Sequence, residues 1–445
     1  MVRITRRFMV GTAGVLSAAV AGNMLAACGP GGQGGGTTST TSGPVSLTLW
    51  DRTTSEGYQP FIDVWLPKFN QKYSGKITLT YEPRPDSWGE KLTAAIVAGT
   101  PPDVAAIYGT WFRSLQEARQ LVTLDKYIKT SKLDSSDFVP GIYKAMNIGG
   151  SQVGIPQYIN TNALYYNREV FKRVGVPLPA DSWTQDQLLD TAQKLTRGPL
   201  DRRDVWGLSF SFGGITDRVI SLCWGAGAQY NDPKNPDLFT FTATSNVKAL
   251  QWVHDLIWRL RLVARSNDDR SGLSQDDAFL TAGSVAMIVE GTHKIAQWRN
   301  QQTTADWDLA VLPKGPGGHG ERLSMDGYAI PAGAKYPDAS WTVVEELTSK
   351  EANQMRAEIM GYLPARKSQF EAWTKTLPGK ALKNGLPTDE ARVGPDNVWP
   401  KAQDVTNAVN VVWKKVFVTN ELSVQDGLKQ MQDAVTGILG PQAAK

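Results

Sequence analysis

An alternation of two hydrophobic periods constrains the fold more than any other feature of the chain. Residues 45–50 and 76–81 alternate apolar and polar side chains with the period of two that a half-buried strand requires. Between them, residues 58–72 carry apolar side chains at helical spacing, and a second helix is predicted over 86–98. Residues 104–108 then form a short apolar run typical of a buried strand. This order of elements predicts a parallel α/β sheet.

The alternation resumes after residue 154 and continues to the end of the chain. A strand is predicted over 163–166 and a short helix over 168–174, and Thr184 with Gln187 forms the capping-box pattern of another helix. The chain has 445 residues, well beyond the roughly 250–300 at which a single hydrophobic core stops growing. We therefore expect an α/β protein of two or three lobes.

Charge and motifs exclude several classes of function. The formal net charge is only +4, and Arg3, Arg6 and Arg7 supply three of those charges. Such a balance gives no electrostatic footprint for nucleic acid, so we expect no nucleic-acid partner. The sequence has no phosphate-binding loop, no zinc-protease motif and no metal-ligand spacing among its three histidines. We predict no metal and no cofactor.

The N-terminus has the layout of an export signal. Three arginines precede an uncharged, apolar or small-residue stretch that ends in Leu25-Ala-Ala-Cys28. The last four residues resemble a bacterial lipobox, in which cleavage precedes a cysteine that becomes lipid-modified. We predict a signal peptide over 1–27 and lipidation at Cys28. Export through the general or the twin-arginine route stays open.

A flexible tether is predicted to follow the lipidated cysteine. Residues 29–44 consist of glycine, serine, threonine, proline and one glutamine, a composition typical of a random coil. Cys223 is then the only thiol of the mature body, so the fold must be stabilised by its core. The predicted location is the extracytoplasmic face of the cytoplasmic membrane, at the cell surface or in a periplasm.

The ends of the first predicted strands carry the first candidate ligand-binding side chains. Ligands of parallel α/β sheets bind beyond the carboxyl ends of the strands. Aromatic and polar side chains at these ends are therefore the first candidates for contacts with a ligand. The candidates there are Trp50, Asp51, Arg52, Glu82, Tyr108 and Trp111.

Eight sequence blocks in order resemble a known family. The blocks are Leu47-Thr-Leu-Trp-Asp51, Lys91-Leu-Thr-Ala-Ala-Ile96, Ala98-Gly-Thr-Pro-Pro-Asp-Val104, Gly154-Ile-Pro156, Leu164-Tyr-Tyr-Asn-Arg168, Ala282-Gly-Ser-Val-Ala-Met287, Leu312-Pro-Lys-Gly-Pro-Gly-Gly318 and Gly361-Tyr-Leu-Pro-Ala-Arg-Lys-Ser368. Together they resemble the extracellular solute-binding proteins of bacterial ABC importers, in the sugar and oligosaccharide branch that includes maltose-binding protein. The resemblance covers nearly all of the mature chain.

The resemblance implies a periplasmic-binding-protein-like fold with two α/β lobes. Each lobe would contain a mostly parallel sheet flanked by helices, and three crossings near 154–156, 311–313 and 363–366 would join the lobes. The N-terminal lobe would then comprise 45–154 with 312–363. The C-terminal lobe would comprise 155–311 with 364–445. Ligand binding would close the cleft by a hinge motion.

The resemblance also implies candidate site residues from both lobes. They are Tyr158, Asn160 and Asn162 after the first crossing, Trp224 in a glycine-rich stretch, Glu290 and His293, Asp326 and Tyr328, Arg366, and Trp399 in a late loop. His293 occupies a position where the family usually has a tryptophan that stacks on sugar. This departure puts the identity of the sugar in doubt.

The prediction is a receptor that makes and breaks no bond. It would capture a sugar or oligosaccharide and deliver it to ABC permease subunits in the membrane, and we expect a monomer. One alternative is a secreted carbohydrate-active hydrolase, with Asp51, Glu82 and Glu290 as possible carboxylates. Another is a ligand receptor that signals to a membrane sensor.

Overall fold

The computed structural model describes residues 43–51, 58–84, 88–109, 111–180, 182–200, 203–232, 235–265, 275–300, 305–375, 392–393 and 399–444. The predicted signal peptide, Cys28 and most of the tether lie outside the described residues, as does Arg52. The body that begins at Gly43 forms one compact unit.

Strands are distributed along the whole of this body. They are β1 (Val45–Asp51), β2 (Ile77–Pro83), β3 (Val104–Tyr108), β4 (Asn147–Ile148), β5 (Ser151–Gln152), β6 (Ile155–Asn160), β7 (Asn162–Asn167), β8 (Leu208–Phe210), β9 (Asn231–Asp232), β10 (Asn235–Phe239), β11 (Val263–Ala264), β12 (Met287–Gly291), β13 (Trp307–Ala310), β14 (Arg322–Ala329), β15 (Leu363–Pro364) and β16 (Arg392–Val393).

Helices separate most of these strands. They are α1 (Gln59–Lys72), α2 (Trp88–Val97), α3 (Trp111–Glu117), α4 (Asp125–Ser131), α5 (Pro140–Ala145), α6 (Arg168–Val174), α7 (Gln185–Leu195), α8 (Val219–Gly225), α9 (Thr244–His254), α10 (Gln275–Leu280), α11 (Lys294–Asn300), α12 (Pro337–Leu347), α13 (Lys350–Met360), α14 (Phe370–Thr374), α15 (Ala402–Phe417) and α16 (Val424–Leu439). Helix α9 continues into a π-helical turn at Asp255–Arg259.

Two mixed sheets organise the body. The first has the order β15-β6-β14-β3-β1-β2, with β16 also paired to β14, and the second has the order β11-β8-β12-β7-β13. β1 is parallel to β2 and β3, as the alternation predicts. β14 is antiparallel to β3 and β6, and β7 is antiparallel to β12 and β13. The α/β class is confirmed. The sheets are mixed rather than mostly parallel, because β14 and β7 run antiparallel to their neighbours.

The chain changes sheet within very short segments. β6 belongs to the first sheet and β7 to the second, so the first change of sheet falls at Thr161. The family resemblance implied a crossing near 154–156. The chain returns between the end of β13 and the start of β14, in residues 311–321. β15 still pairs with β6, and Trp399 and α15 pack in the core of the second sheet. The strand over 155–160 thus lies with the N-terminal sheet because its partner is β14.

Local sequence explains several helix ends. Thr184 accepts from the backbone N–H of Gln187, and the side chain of Gln187 accepts in return from the backbone N–H of Thr184. This reciprocal capping box starts α7 where the pattern predicted it. Asn167 caps α6, and Gly175 ends that helix in the left-handed conformation that glycine adopts without strain.

Candidate functional site

A pocket of about 780 Å³ lies between residues of the two sheets and the helices that pack on them. Its lining consists of Trp88, Gly89, Glu90, Tyr108, Gly109, Trp111, Tyr158, Asn160, Arg218, His293, Arg322, Ser324, Asp326, Tyr362, Gln403 and Asn407. A volume of this size falls in the range of small-molecule binding sites.

Strand register explains why distant residues meet at the pocket. Asp326 of β14 lies opposite Tyr108 of β3 on one side and Tyr158 of β6 on the other. Ser324 lies opposite Asn160, where β6 ends. Because alternate residues of a strand share one face, β14 presents Asp326, Ser324 and Arg322 to the pocket together.

Five aromatic side chains contribute to the lining from the first sheet and its helices. Trp88 packs edge-on to Tyr108 with ring centroids 6.1 Å apart, and Tyr158 and Tyr362 pack with centroids 4.6 Å apart. Trp111, the first residue of α3, is only half-buried and is the most open of the tryptophans that line the pocket. These rings provide flat apolar surfaces beside polar groups.

Planar polar groups contribute to the lining from the second sheet and from α15. Arg218 lies before α8 and forms an ion pair with Glu290 of β12. The Nδ1 atom of His293 lies 3.4 Å from Oδ1 of Asn160. On α15, the Gln403 amide donates to Oδ1 of Asn407 at 3.1 Å, and both side chains are exposed. Amide, imidazole and guanidinium groups together can donate to and accept from several hydroxyl groups.

A buried hydrogen-bond network supports the aromatic side of the pocket. The Tyr108 hydroxyl donates to Asp51, which is fully buried at the end of β1. Behind it, the hydroxyls of Tyr58 and Tyr328 form a hydrogen bond, and Arg356 donates to the Tyr58 hydroxyl at 3.1 Å. Burial raises the pKa of both tyrosines, so both remain neutral hydrogen-bonding groups at neutral pH. The hydrogen bond to Asp51 holds the Tyr108 hydroxyl in place beneath the pocket.

Comparison with known families assigns this architecture. The family of bacterial extracellular solute-binding proteins matches residues 52–354, which is more than half of the chain. The chain belongs to this family. The resemblance predicted from sequence blocks is therefore confirmed, and the family and fold are those of solute-binding proteins and not of enzymes.

Individual relatives of this solute-binding protein are distant in sequence and similar in fold. An arabinooligosaccharide-binding protein of Bacillus subtilis is 22% identical over 407 residues, which cover 88% of this chain and 89% of the relative. An ABC substrate-binding protein of Listeria monocytogenes, solved in complex with cycloalternan, has a TM-score of 0.76 at 20% identity and covers 89% of this chain and 99% of that structure. The sugar-binding protein MalE of Xanthomonas citri has a TM-score of 0.74 at 18% identity. The match covers 89% of this chain and 97% of that structure.

The pocket of this solute-binding protein contains six of the residues that the sequence singled out. The six come from both sheets and lie together in one cavity: Tyr108, Trp111, Tyr158, Asn160, His293 and Asp326.

Other candidates lie beside the pocket or beneath it, engaged with neighbouring side chains. The Trp50 indole N–H donates to Glu82 at 3.0 Å, and the Arg84 guanidinium lies 4.6 Å from the Trp50 ring centroid. Asp51 accepts from Tyr108 below the pocket surface. Asn162 is buried at the start of β7, where its amide donates to Ser221 at 2.8 Å. Glu290 is held by Arg218, and it is Arg218 that lines the pocket.

Four further candidates are buried away from the pocket. Trp224 and Trp399 pack in the core of the second sheet, where Trp399 is fully buried with its ring centroid 5.2 Å from that of Phe239. Tyr328 is fully buried against Tyr58. Arg366 donates to the Thr348 carbonyl at 2.7 Å and pairs with Asp137, while its guanidinium lies over Phe138. None of these four side chains lines the pocket, and their roles as ligand contacts remain predictions from the sequence.

Sequence reasoning missed several lining residues. They are Trp88, Gly89, Glu90, Gly109, Arg218, Arg322, Ser324, Tyr362, Gln403 and Asn407. A signal was present for two pairs of them. Arg322 and Ser324 precede Asp326 at the period of two expected of one strand face, and Gln403 and Asn407 are four residues apart on a helix.

The described part of the chain contains no group of His, Cys, Asp and Glu side chains arranged to hold a metal ion. Within the same residues, no helix combines the length and apolar character that crossing a bilayer requires. The Cys223 thiol is buried, and burial raises its pKa to about 12.

Proposed function

We propose that this solute-binding protein captures a sugar or short oligosaccharide in the pocket and delivers it to the permease of an ABC importer. The observation that carries the proposal is the composition of the lining: aromatic faces on one side and planar amide, imidazole and guanidinium groups on the other. Sugars present apolar C–H faces and rims of hydroxyl groups, so both kinds of surface are needed to hold one.

The expected affinity requires several of these contacts to act together. A micromolar dissociation constant corresponds to about −8 kcal/mol. An aromatic stacking pair contributes about 0.5–1.5 kcal/mol beyond the area it buries, so one platform is not sufficient. Trp111 and Tyr158 supply flat surfaces, and Asn160, His293 and Asp326 supply directional hydrogen bonds. Closure of the lobes around the ligand would exclude water and strengthen these polar contacts.

The relatives support this substrate class. The Bacillus subtilis relative is named for arabinooligosaccharides, and the Listeria monocytogenes structure contains cycloalternan. The Xanthomonas citri structure is described as a sugar-binding protein. We therefore propose that this chain also binds a saccharide, without specifying the sugar or its linkage.

A titration panel tests the proposal. Isothermal titration calorimetry of the purified chain against mono- and oligosaccharides should give saturable binding to at least one member, without consumption of the saccharide. Binding of a peptide or a polyol phosphate with no response to any saccharide would contradict it. Turnover of a bound glycan would instead support the hydrolase alternative.

Removal of the half-buried Trp111 indole is expected to weaken saccharide binding strongly. Trp111→Ala should raise the dissociation constant about tenfold or more, because it removes one stacking face and part of the buried area. Trp111→Phe retains a flat ring and should lose clearly less affinity. Equal affinities of the wild type and Trp111→Ala would show that the ligand binds elsewhere.

The proposed receptor is held at the extracytoplasmic face of the cytoplasmic membrane by a lipid on Cys28. The lipobox-like residues 25–28 and the glycine-rich tether support this anchor. A lipid attached to Cys28 would hold the chain at the membrane surface. Cys28→Ser should therefore move the chain from the membrane fraction to the soluble extracytoplasmic fraction, with unchanged saccharide affinity. Equal incorporation of a labelled fatty acid into the wild type and Cys28→Ser would contradict lipid anchoring at this residue.

The first sheet and the second sheet define the two lobes that we propose to move relative to each other. The lobes would be joined where the chain changes sheet, at Thr161 and in 311–321, and by the segment after β16. The pocket residues then divide between the lobes, with Tyr158 and Asp326 on one and His293 and Asn407 on the other. We propose that the receptor acts as a monomer.

A further inference from the structure

Gly89 is the residue of the pocket lining whose presence most needs an explanation. It lies at the second position of α2, where glycine is a poor helix former compared with alanine. Its backbone does not occupy the left-handed region that favours glycine. Neither helix propensity nor backbone conformation therefore explains a glycine at this position. We look for the explanation in the side chains that surround it.

The indole of Trp111 lies directly against the backbone of Gly89. A Cβ atom built at residue 89 would lie 2.0 Å from Cε2, 2.1 Å from Cζ2 and 2.4 Å from Cδ2 of Trp111. These atoms belong to the fused bond and the six-membered ring, and their similar distances indicate that the face of the ring covers Gly89. Ordinary contacts of a Cβ begin near 3.4 Å, so an alanine would require the ring to move by more than 1 Å.

Helix α3 has little freedom to relieve such a clash. The next residue, Phe112, is fully buried, and its ring packs in the same close manner against Gly154, where a Cβ would lie 2.3 Å from Cε1. Leu115, one turn further along the helix, is also buried. Because α3 is fixed by these contacts, the half-buried Trp111 ring is the part that would shift, and the pocket is the open space beside it.

We propose that Gly89 is a positioning residue of the saccharide site: the absence of its side chain lets the Trp111 indole lie flat on α2 and sets the width of the pocket at this aromatic surface. The proposal rests on the saccharide function proposed above. A side chain at residue 89 would tilt or displace the ring and narrow the space available to a sugar ring.

A double-mutant cycle tests this role. Gly89→Ala should raise the dissociation constant for the saccharide by about tenfold, comparable to Trp111→Ala. In the Trp111→Ala background the clash is absent, so adding Gly89→Ala should change the affinity less than twofold. Additive losses in the double variant, or wild-type affinity of Gly89→Ala, would overturn the proposal.

The chain offers a matched control. Gly437 lies in helix α16, and a Cβ built there would meet nothing within 4 Å. Gly437→Ala is the same substitution in a helix without the contact and should leave affinity unchanged. A loss of affinity in Gly437→Ala equal to that of Gly89→Ala would count against a local effect on Trp111.

A ligand-free measurement separates this inference from the saccharide function. Near-ultraviolet circular dichroism of Gly89→Ala should differ from that of the wild type, and the difference should be absent when both proteins carry Trp111→Ala. If no saccharide binds the wild type, the proposed function fails. The spectra still test whether Gly89 sets the position of the Trp111 indole. Identical spectra of the wild type and Gly89→Ala would overturn the positioning role even if saccharides bind.

Discussion

Trp399→Ala is expected to lower the free energy of unfolding by about 3–5 kcal/mol, the range for deleting a fully buried tryptophan from a core. The Trp399 side chain is fully buried and packs edge-on against Phe239 and Phe241, with ring centroids 5.2 and 6.1 Å apart. Truncation leaves a cavity that these rings cannot fill. Urea denaturation followed by tryptophan fluorescence measures the loss.

The same variant distinguishes a packing role from a ligand-binding role. Saccharide affinity per folded molecule should be unchanged, because Trp399 does not line the pocket. Trp399→Phe keeps most of the apolar volume and should lose clearly less stability. A variant with wild-type stability and a large loss of affinity would instead support the stacking role that the sequence suggested.

Glu321→Gln is expected to remove a large pH dependence of stability. The Glu321 carboxyl is buried, and the Thr161 hydroxyl donates to it at 3.0 Å. Burial raises its pKa from the ordinary 4.5 to about 8, although hydrogen bonds from Thr161 and the Leu312 backbone oppose this. Between these two values the folded chain retains a proton that the unfolded chain has lost. Stability therefore falls by about 1.4 kcal/mol per pH unit as the pH rises through this interval.

The sign of this effect is opposite to that of an ion-paired carboxylate. The contribution of Glu321 is fully present below about pH 4.5 and is lost as the pH rises to about 8. Urea denaturation of the wild type and Glu321→Gln from pH 5 to 9 isolates it, because the other titrating groups are common to both proteins. Glu371→Gln removes an exposed carboxylate and is the matched control. Parallel pH profiles of the wild type and Glu321→Gln would contradict a raised pKa at Glu321.

The alternation of hydrophobic periods was sufficient to predict the class of fold and many elements. α6 spans Arg168–Val174, as the pattern predicts, because a capping asparagine and a left-handed glycine bound it locally. The capping box at Thr184 is equally local. Such features depend on neighbours within four residues, so they can be recognised in a single sequence.

Long-range pairing could not be predicted in the same way. β6 lies in the first sheet because it pairs with β14, which begins more than 160 residues later. The family resemblance implied a crossing near residues 154–156, and the chain changes sheet at Thr161. Strand partners are selected by the whole core, and a period of two contains no information about them.

The residues of the candidate site also could not be predicted from local sequence alone. A position after a predicted strand favoured a site role for Trp111, and the family resemblance implied one for Trp399. The structure exposes part of Trp111 to the pocket and buries Trp399 completely. Arg218 and Asn407 reach the pocket from segments nearly 190 residues apart, so only the folded chain brings them together. Burial and position relative to the cavity distinguish a candidate ligand contact such as Trp111 from a core residue such as Trp399.

A crystal structure of the chain with the saccharide that gives saturable binding tests the central claim most directly. The account predicts an intact saccharide in the pocket, with one sugar ring against Trp111 and hydroxyl groups within hydrogen-bond distance of Asn160 and Asp326. A saccharide bound outside this pocket, or a cleaved product within it, would contradict the account.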